Sequence, residues 1–314
     1  MNITETELFS LSSSPHIKSK NTTSVIMRDV LIALAPAFVW SVYVFGYRAL
    51  GLTLLSVELC VLFEAGYQKI AGKPVTVSDL SAAVTGVLIA FNLPSSCAWW
   101  VLIPGTFFAI VIVKQLFGGI GKNIVNPAIA ARIFMFISWP SQMSVFKEPM
   151  SDAISSATPL ASMKEGVLPN ESIFDMFFGF IPGSIGEVSA LMILIGLAYL
   201  LIRRVITWHI PISFVGTVAL FSVIFPQAGT NLEYLVYSVL SGGLLLAAVF
   251  MATDYTTSPV TWKGRLIYGF GCGLITVAIR FLGAYAEGAS FAIMIMNLLV
   301  WYIDRVTLPR RFGA

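Results

Sequence analysis

The stretch Ile154-Ser155-Ser156-Ala157-Thr158-Pro159-Leu160-Ala161 is a small polar island inside the longest non-hydrophobic interval of the chain, residues 141–186. Five apolar segments precede this interval and five follow it. An odd number of segments in each half means that two repeated halves would have opposite orientations in a membrane. If the halves are repeats, as the similarity of residues 81–88 to residues 238–245 indicates, they form two five-helix halves of inverted topology with the island between them.

The composition is that of a polytopic membrane protein. Hydrophobic residues make up 57% of the 314 residues and charged residues 11%, and no soluble domain of this length needs so much apolar surface. The net charge of +3 is small, so we interpret it as a sign of orientation in the bilayer and expect no nucleic-acid partner. Cys60, Cys97 and Cys272 are too far apart to suggest a metal pair or an iron–sulfur ligand set.

Ten apolar segments are each long enough to cross about 30 Å of hydrocarbon, given some tilt and interruption. They cover residues 29–47, 50–67, 78–93, 98–117, 124–140, 187–202, 208–225, 232–252, 265–284 and 288–303. The predicted fold class is an all-α polytopic membrane protein with about ten transmembrane helices in two five-helix inverted repeats. Its predicted parts are a cytoplasmic tail 1–28, a first repeat 29–140, an extracytoplasmic loop 141–186, a second repeat 187–304 and a cytoplasmic tail 305–314.

The third segment of each half ends in helix-breaking residues. These are Asn92-Leu93-Pro94 in the first half and Ala252-Thr253-Asp254, with Pro259, in the second. Interrupted helices at matching positions of two halves indicate a polar site near the midplane of the membrane. Ordinary proline and aspartate at membrane exits would explain the same pattern without a site.

Basic residues predict the orientation of the chain. If the N-terminus is cytoplasmic, only Arg48, Lys147 and Lys164 fall on the outer side. The inner side then receives Lys69, Lys73, Lys114, Lys122, Arg203, Arg204, Lys263, Arg265, Arg305, Arg310 and Arg311. This asymmetry predicts that both termini are cytoplasmic and that Thr158 lies on the outer face.

Thr158 and Pro159 permit two interpretations. Threonine followed by proline is a good helix start, because the hydroxyl caps the helix and proline suits its first position. On this interpretation Thr158 merely begins a short surface helix. Alternatively, the free N–H groups and positive dipole end of a helix start would stabilise a phosphate, so a phosphoester through Thr158 is chemically reasonable.

Four motifs in this order resemble the RnfD component of the Rnf complex, a ferredoxin:NAD oxidoreductase, and the related membrane component of the sodium-pumping NADH:quinone oxidoreductase. They are Ser14-Pro15-His16 with Ile26-Met27, the loop Gly118-Gly119-Ile120-Gly121-Lys122-Asn123-Ile124-Val125-Asn126-Pro127-Ala128, Ser156-Ala157-Thr158-Pro159-Leu160, and Ala252-Thr253-Asp254 with Thr257-Ser258-Pro259-Val260-Thr261. The third resembles the family's flavin-attachment motif. Ser155-Ser156 departs from it, since relatives more often carry Thr-Gly or Ser-Gly there. The chain length resembles the Rnf protein more closely.

The resemblance implies an electron carrier. FMN would be esterified through its phosphate to Thr158, and a second, non-covalent riboflavin is also implied. The protein would be a multi-pass component of a bacterial inner-membrane translocase that couples electron flow from ferredoxin to NAD with sodium or proton transport. Its partners would be the other Rnf subunits, including a second covalent-flavin subunit and membrane iron–sulfur subunits. It would be an enzyme only as part of that complex.

The predicted cofactor-binding residues include the motif and polar residues elsewhere. They are Ser156, Ala157, Thr158, Pro159, Gly121, Asn123, Asn126, Arg132 and Asp254. The glycine-rich loop is neither a P-loop nor a Rossmann turn. Its glycines leave backbone N–H groups free to approach a flavin ring or an ion, although Gly118-Gly119 and Asn126-Pro127 could simply end one helix and begin the next.

Three ionisable residues occur at apparent membrane depth, where they usually have partners or line a polar cavity. Glu58, Arg132 and Arg280 could form an architectural Glu–Arg pair, or Arg132 could stabilise a reduced, anionic flavin. Gly269, Gly271 and Gly273 predict tight helix packing.

No metal site and no hydrolase constellation is predicted, so any chemistry would be that of a cofactor. A secondary transporter or channel of inverted-repeat architecture without redox chemistry is the alternative, and an assembly scaffold is a third.

Overall fold

The computed structural model describes residues 22–309 except 152, 153, 156 and 157. Helices dominate it. In the first half they are α1 (Thr23–Phe45), α2 (Tyr47–Ile70), α3 (Ser81–Phe91), α4 (Leu102–Phe107) and α5 (Pro127–Ser138). Three short helices follow, α6 (Pro140–Met143), α7 (Pro159–Lys164) and α8 (Ile173–Phe178). The second half has α9 (Ala190–Ile202), α10 (His209–Ile224), α11 (Asn231–Leu240), α12 (Leu244–Leu246), α13 (Trp262–Leu282) and α14 (Ala289–Thr307).

Helical structure is present in each of the ten apolar segments. By length and apolar composition, α1, α2, α13 and α14 can each cross a membrane, and α11 with α12 forms a fifth candidate that is bent by 61°. The five other apolar helices within the described residues are shorter, at 10–17 residues. The chain is thus a helical, polytopic membrane protein.

Two apolar helices continue into a wider π-helical turn. The one that follows α4 is Phe108–Gln115, and the one that follows α12 is Ala247–Met251. Insertions of this kind often accompany functional sites, because they redirect side chains out of the regular helical pattern. Within the described part of the chain, each half contains one helix with such a π-helical turn.

The predicted breaks occur where the sequence places them. Helix α3 ends at Phe91, and the π-helical turn of the second half ends at Met251. The chain after α3 pairs with a distant segment, since Ile185 N donates to Leu93 O at 2.9 Å and Gly186 N donates to Phe91 O at 3.0 Å. A further bend of 61° separates Leu240 from Leu244 inside the apolar segment 232–252, and the sequence analysis did not predict its position.

The glycine face of α13 packs tightly, as predicted. A Cβ on Gly269 would lie 2.8 Å from Ser213 Cβ, and one on Gly273 would lie 2.5 Å from Thr217 Cβ, both on α10. On the neighbouring side, a Cβ on Gly271 would lie 2.5 Å from the methyl carbon of Met296 on α14. Only glycine allows these three helices to approach so closely.

The described residues of the interval between the halves form two short strands and short helices. Strand β1 (Phe146–Lys147) pairs antiparallel with β2 (Ile154–Ser155), and α7 follows. Lys164 anchors α7, because its Nζ donates to the carbonyl oxygens of Gly283 at 2.6 Å and Tyr285 at 2.7 Å. Partial burial lowers the pKa of Lys164, so its ammonium form is lost at a lower pH than that of an exposed lysine.

Candidate functional site

Thr158 is the N-cap of α7, as the local sequence predicts. Its Oγ1 accepts a hydrogen bond from Ala161 N at 3.3 Å, and Pro159 occupies the first position of the helix. Ser156 and Ala157, two predicted cofactor-binding residues, lie outside the described residues. Thr158 and Pro159 both line a cavity of about 250 Å³, which we call the Thr158 cavity.

One wall of the Thr158 cavity is aromatic. Phe136 of α5, Tyr285 of the loop before α14 and Phe291 of α14 all line it. The rings of Tyr285 and Phe291 stack at 5.5 Å with an interplanar angle of 10°, and Phe136 packs edge-on against Tyr285 at 5.2 Å. This wall can pack against a flat ring system.

The cavity lining is also charged. Arg132 Nη1 donates to Asn92 Oδ1 at 2.8 Å and to Glu287 Oε1 at 3.4 Å, and Arg132 Nη2 pairs with Glu287 Oε2. Gly243 N also donates to Glu287 Oε1, at 2.8 Å. Arg132 is therefore held in one orientation beside the cavity.

A second carboxylate lines the same cavity. Glu187 is only 8% exposed, and its Oε1 accepts a hydrogen bond from Ser184 N at 2.9 Å. A Cβ on Gly243 would lie 2.5 Å from Glu287 Oε1, 2.9 Å from Glu187 Oε2 and 3.3 Å from Arg132 Nη1. Gly243 thus leaves the space in which the three charged groups meet.

Gly243→Ala should disrupt this cluster. The added methyl group would overlap both carboxylates, and overpacking of this kind costs about 1–3 kcal/mol of stability. We expect a lower thermal midpoint of the solubilised protein. Gly216→Ala is the matched control, because nothing lies within 4 Å of a Cβ there. An unchanged midpoint in Gly243→Ala would contradict this arrangement of charges.

The other predicted residues line a separate cavity of about 370 Å³, which we call the Asn126 cavity. Gly121, Asn123, Asn126 and Asp254 all face it. Oδ1 of Asn123 is buried and has no hydrogen-bond partner among the described residues. The cavity therefore offers an unused acceptor to a bound molecule.

Asn126 connects this cavity with the break after α12. Its Oδ1 caps α5 by accepting from Ala128 N at 3.0 Å, and its Nδ2 donates to Met251 O at 3.1 Å. Met251 Sδ also lies 3.7 Å from Asn92 Nδ2, and Asn92 binds Arg132. A short polar chain thus joins the two cavities through the interrupted helices.

A buried ion pair borders the Asn126 cavity, and the sequence analysis did not identify it. Lys114 Nζ donates to Glu64 Oε2 at 2.7 Å and to Ser81 Oγ at 2.6 Å, while Gln115 Nε2 donates to Glu64 Oε1 at 2.9 Å. Lys114 is 2% exposed, so this lysine, which the sequence analysis counted among the inner-side charges, is not a free surface charge. Both Lys114 and Gln115 lie in a π-helical turn, which no sequence pattern indicated.

The three ionisable residues at membrane depth have different surroundings. Glu58 is exposed on α2, on the side that faces away from the protein core. It pairs with neither Arg132 nor Arg280, so the predicted pair between Glu58 and an arginine is wrong. Arg132 pairs with Glu287 instead. Arg280 is buried, and its Nη1 donates to Ser238 O at 2.8 Å and Ser238 Oγ at 3.1 Å.

The predicted cofactor residues therefore fall into two groups. Thr158, Pro159 and Arg132 share the first cavity, while Gly121, Asn123, Asn126 and Asp254 share the second. Asp254 Oδ2 accepts hydrogen bonds from Thr256 at 2.8 Å and from Thr257 at 3.1 Å. Glu187 and Glu287 were missed, because no motif contains them and their contacts come from distant parts of the chain.

Residues 10–313 match the model of the NQR2, RnfD, RnfE family. The chain belongs to this family. It is 48% identical over 308 residues to the RnfD-type component of the Na(+)-translocating ferredoxin:NAD(+) oxidoreductase complex of Acetobacterium woodii, covering 97% of this chain and 95% of that protein. The predicted resemblance to RnfD is therefore confirmed.

Two further family members extend the comparison. The chain is 37% identical to the corresponding component of the proton-translocating ferredoxin:NAD(+) oxidoreductase complex of Clostridium ljungdahlii, over 98% of this chain and 97% of that protein. It is 38% identical to the corresponding component of the ion-translocating oxidoreductase complex of Stutzerimonas stutzeri, over 92% of this chain and 91% of that protein. All three relatives are named as subunits of ion-translocating oxidoreductase complexes. The Acetobacterium woodii name specifies sodium, the Clostridium ljungdahlii name specifies protons, and the third name does not specify the ion.

Proposed function

We propose that this protein is the flavin-carrying membrane component of an ion-translocating ferredoxin:NAD oxidoreductase complex. The observation that supports it most strongly is the position of Thr158. Thr158 lines a cavity with an aromatic wall and a fixed arginine, in a chain that matches 95% of the length of its Acetobacterium woodii relative. The interpretation of Thr158 as only a helix cap does not explain that cavity.

The residues of the Thr158 cavity fit a covalent FMN. Thr158 would hold it as a phosphoester, and Phe136 and Tyr285 would pack against the ring. Ser290 Oγ is buried in this cavity without a hydrogen-bond partner among the described residues, so it is free to bind a polar group of the cofactor. When bound, the flavin would supply one- and two-electron transfer, which no side chain here provides.

Arg132 would adjust the electron affinity of that site. A guanidinium beside the ring favours a ring that has gained an electron, more so in a buried site than in water, and the paired Glu287 carboxylate offsets part of this effect. Glu287 and Asn92 hold the guanidinium in place, so little reorganisation is needed when charge arrives. Arg132 would therefore stabilise the reduced cofactor, as the sequence suggested.

The Asn126 cavity fits the second, non-covalent flavin that the resemblance implies. Its volume is within the range of about 300–1,000 Å³ that is typical of small-molecule sites. The side-chain Oδ1 of Asn123 would accept a hydrogen bond from a ring N–H of the flavin. Gly121, at φ +86, would let the backbone approach the ring closely. Riboflavin there would be linked to the Thr158 cavity through Asn126, Met251 and Asn92.

Asn126→Ala should remove the second flavin while the covalent one remains. The change deletes both the α5 cap and the bond to Met251, so the wall of the cavity loses its position. We expect acid-extracted riboflavin to fall to background. Asn126→Asp keeps the capping oxygen but loses the donor to Met251, so it separates the two contributions. Full riboflavin content in Asn126→Ala would exclude Asn126 from this site.

The membrane arrangement is also part of the proposal. About ten helices would form two five-helix inverted repeats, 29–140 and 187–304, with tails 1–28 and 305–314 in the cytoplasm. Residues 141–186 would lie on the outer side of the bacterial inner membrane, where Thr158 could exchange electrons with a second covalent-flavin subunit. Membrane iron–sulfur subunits would be the other redox partners, and sodium or proton the transported ion.

The test of the function separates it from a transporter without redox chemistry. Complex purified from its own host should be yellow, and this chain should keep its flavin after denaturation. Liposomes that contain this protein alone should show no substrate-dependent flux. A colourless native complex together with flux through the isolated protein would favour the transporter.

A further inference from the structure

Glu187 is a buried carboxylic acid that has no role in the proposed flavin attachment. Its side chain lines the Thr158 cavity and is 8% exposed, while its Oε2 is buried without a hydrogen-bond partner among the described residues. The other oxygen accepts a hydrogen bond from Ser184 N at 2.9 Å, and the Ser184 side chain also interacts with this carboxylate. A buried carboxylate with a bare oxygen is costly when ionised.

The charged groups around Glu187 do not supply the missing donor. Arg132 of α5 is bound to Glu287 and Asn92. Arg280 of α13, the other nearby cation, is bound to Ser238. Nε of Arg280 is buried without a partner, but neither guanidinium group donates a hydrogen bond to Glu187 Oε2 among the described residues.

The group that does face the bare oxygen is another carboxylate. Glu287, from the loop between α13 and α14, approaches Glu187 Oε2 across Gly243, since both oxygens lie within 3 Å of the place of a Gly243 Cβ. Two carboxylates this close in a buried site do not both remain ionised unless a cation binds both of them, and Arg132 forms its ion pair with Glu287 while Glu187 Oε2 receives no hydrogen bond among the described residues. A proton on Glu187 Oε2 would remove the repulsion and turn the bare acceptor into a donor.

We propose that Glu187 is a proton-binding site that opens to the Thr158 cavity. Glu287 keeps its charge because Arg132 and Gly243 N bind it, and Glu187 carries the proton. A sodium ion fits this place less well, because Arg132 Nη1 already lies 3.3 Å from the same point and would repel it. The site rests on the proposed function and extends it by giving the ion-translocating complex a place to hold a proton beside its electron carrier.

Carbodiimide labelling of the purified complex tests this proposal, because dicyclohexylcarbodiimide reacts with protonated carboxylic acids in apolar surroundings. Labelling would be followed by mass spectrometry of the peptide that contains Glu187, over a series of pH values. The adduct should increase as the pH falls and should be the same in sodium chloride and in choline chloride. Glu187→Gln should abolish it and leave assembly intact, since the amide resembles the protonated acid.

Glu287→Gln is the informative second variant. It removes the neighbouring negative charge and frees Arg132 to pair with Glu187, so labelling of Glu187 should fall at least tenfold at a fixed pH. A merely structural Glu187 would not respond in this way. The complex with Thr158→Ala should still be labelled at Glu187, which keeps this test separate from that of flavin attachment.

Two results would overturn the proposal. Protection of Glu187 by sodium chloride but not by choline chloride would identify sodium as the ligand. The second result would be no labelling at any pH and, in the infrared spectrum, no deuterium-sensitive carboxylic acid band that is lost on Glu187→Gln. Together these would show that Glu187 is ionised.

Discussion

Replacing Thr158 by Asn should give a complex that assembles in the membrane but carries no flavin on this chain. Asparagine is as good an N-cap as threonine, so α7 keeps the bond to Ala161 N, whereas the hydroxyl needed for a phosphoester is gone. The expected result is complete loss of the fluorescent band in a denaturing gel viewed under ultraviolet light. Membrane extraction of the variant should equal that of the unmodified chain.

Two matched variants separate attachment from capping. Thr158→Ala removes both the cap and the hydroxyl, so it should also lose the fluorescence and, in addition, lose about 0.5–2 kcal/mol of local helix stability. Thr158→Ser retains both groups and tests whether a hydroxyl at this position is sufficient. A fluorescent Thr158→Asn chain would place the flavin elsewhere. Loss of membrane insertion in Thr158→Asn would mean that Thr158 is structural.

The second large effect is expected for Arg132→Met. The substitution leaves Glu287 as a mostly buried carboxylate without its cation and Asn92 Oδ1 without its donor. Removing one partner of a buried pair costs roughly 3–5 kcal/mol, because the remaining charge is uncompensated. We expect a large fall in the thermal midpoint of the solubilised complex.

Two comparisons show whether this loss comes from the buried charge. The double variant Arg132→Met with Glu287→Gln should recover much of the midpoint, since the uncompensated carboxylate is gone. Arg203→Met breaks the Arg203–Asp29 pair, in which the arginine is 47% exposed, so its effect should be much smaller. Equal losses in Arg132→Met and Arg203→Met would contradict the buried position of Arg132.

The local features of this fold could be predicted from neighbouring residues. Thr158 with Pro159, and Asn126 with Pro127, begin helices because capping depends on only three or four consecutive residues. The close packing of α13 follows from Gly269, Gly271 and Gly273, because glycine spacing along one helix is visible in the chain. Composition alone indicated a helical membrane protein.

The partners of the charged groups could not be predicted in the same way. Arg132 and Glu287 are 155 positions apart, and Glu64 and Lys114 are 50 apart, so only the packing of whole helices brings them together. Lys114 illustrates the consequence, since a lysine near a segment end has the same sequence signature whether it faces water or a buried glutamate. The bend after Leu240 contains Gly242 and Gly243, a weak signal within a long apolar run.

The family resemblance supplied what neither periodicity nor charge could supply. Nothing in the local pattern around Thr158 distinguishes a helix cap from an attachment site. The structure adds the cavity with its aromatic wall, Arg132 and the two carboxylates, and these observations connect Thr158 to residues from both halves of the chain.

The most direct test of the flavin proposal is mass spectrometry of the peptide that carries residues 148–164, taken from the native complex. The proposal predicts the mass of FMN less one water on this peptide, with fragmentation that assigns it to Thr158. An unmodified Thr158 in that complex would contradict it, and the inverted-repeat transporter would then be the better account.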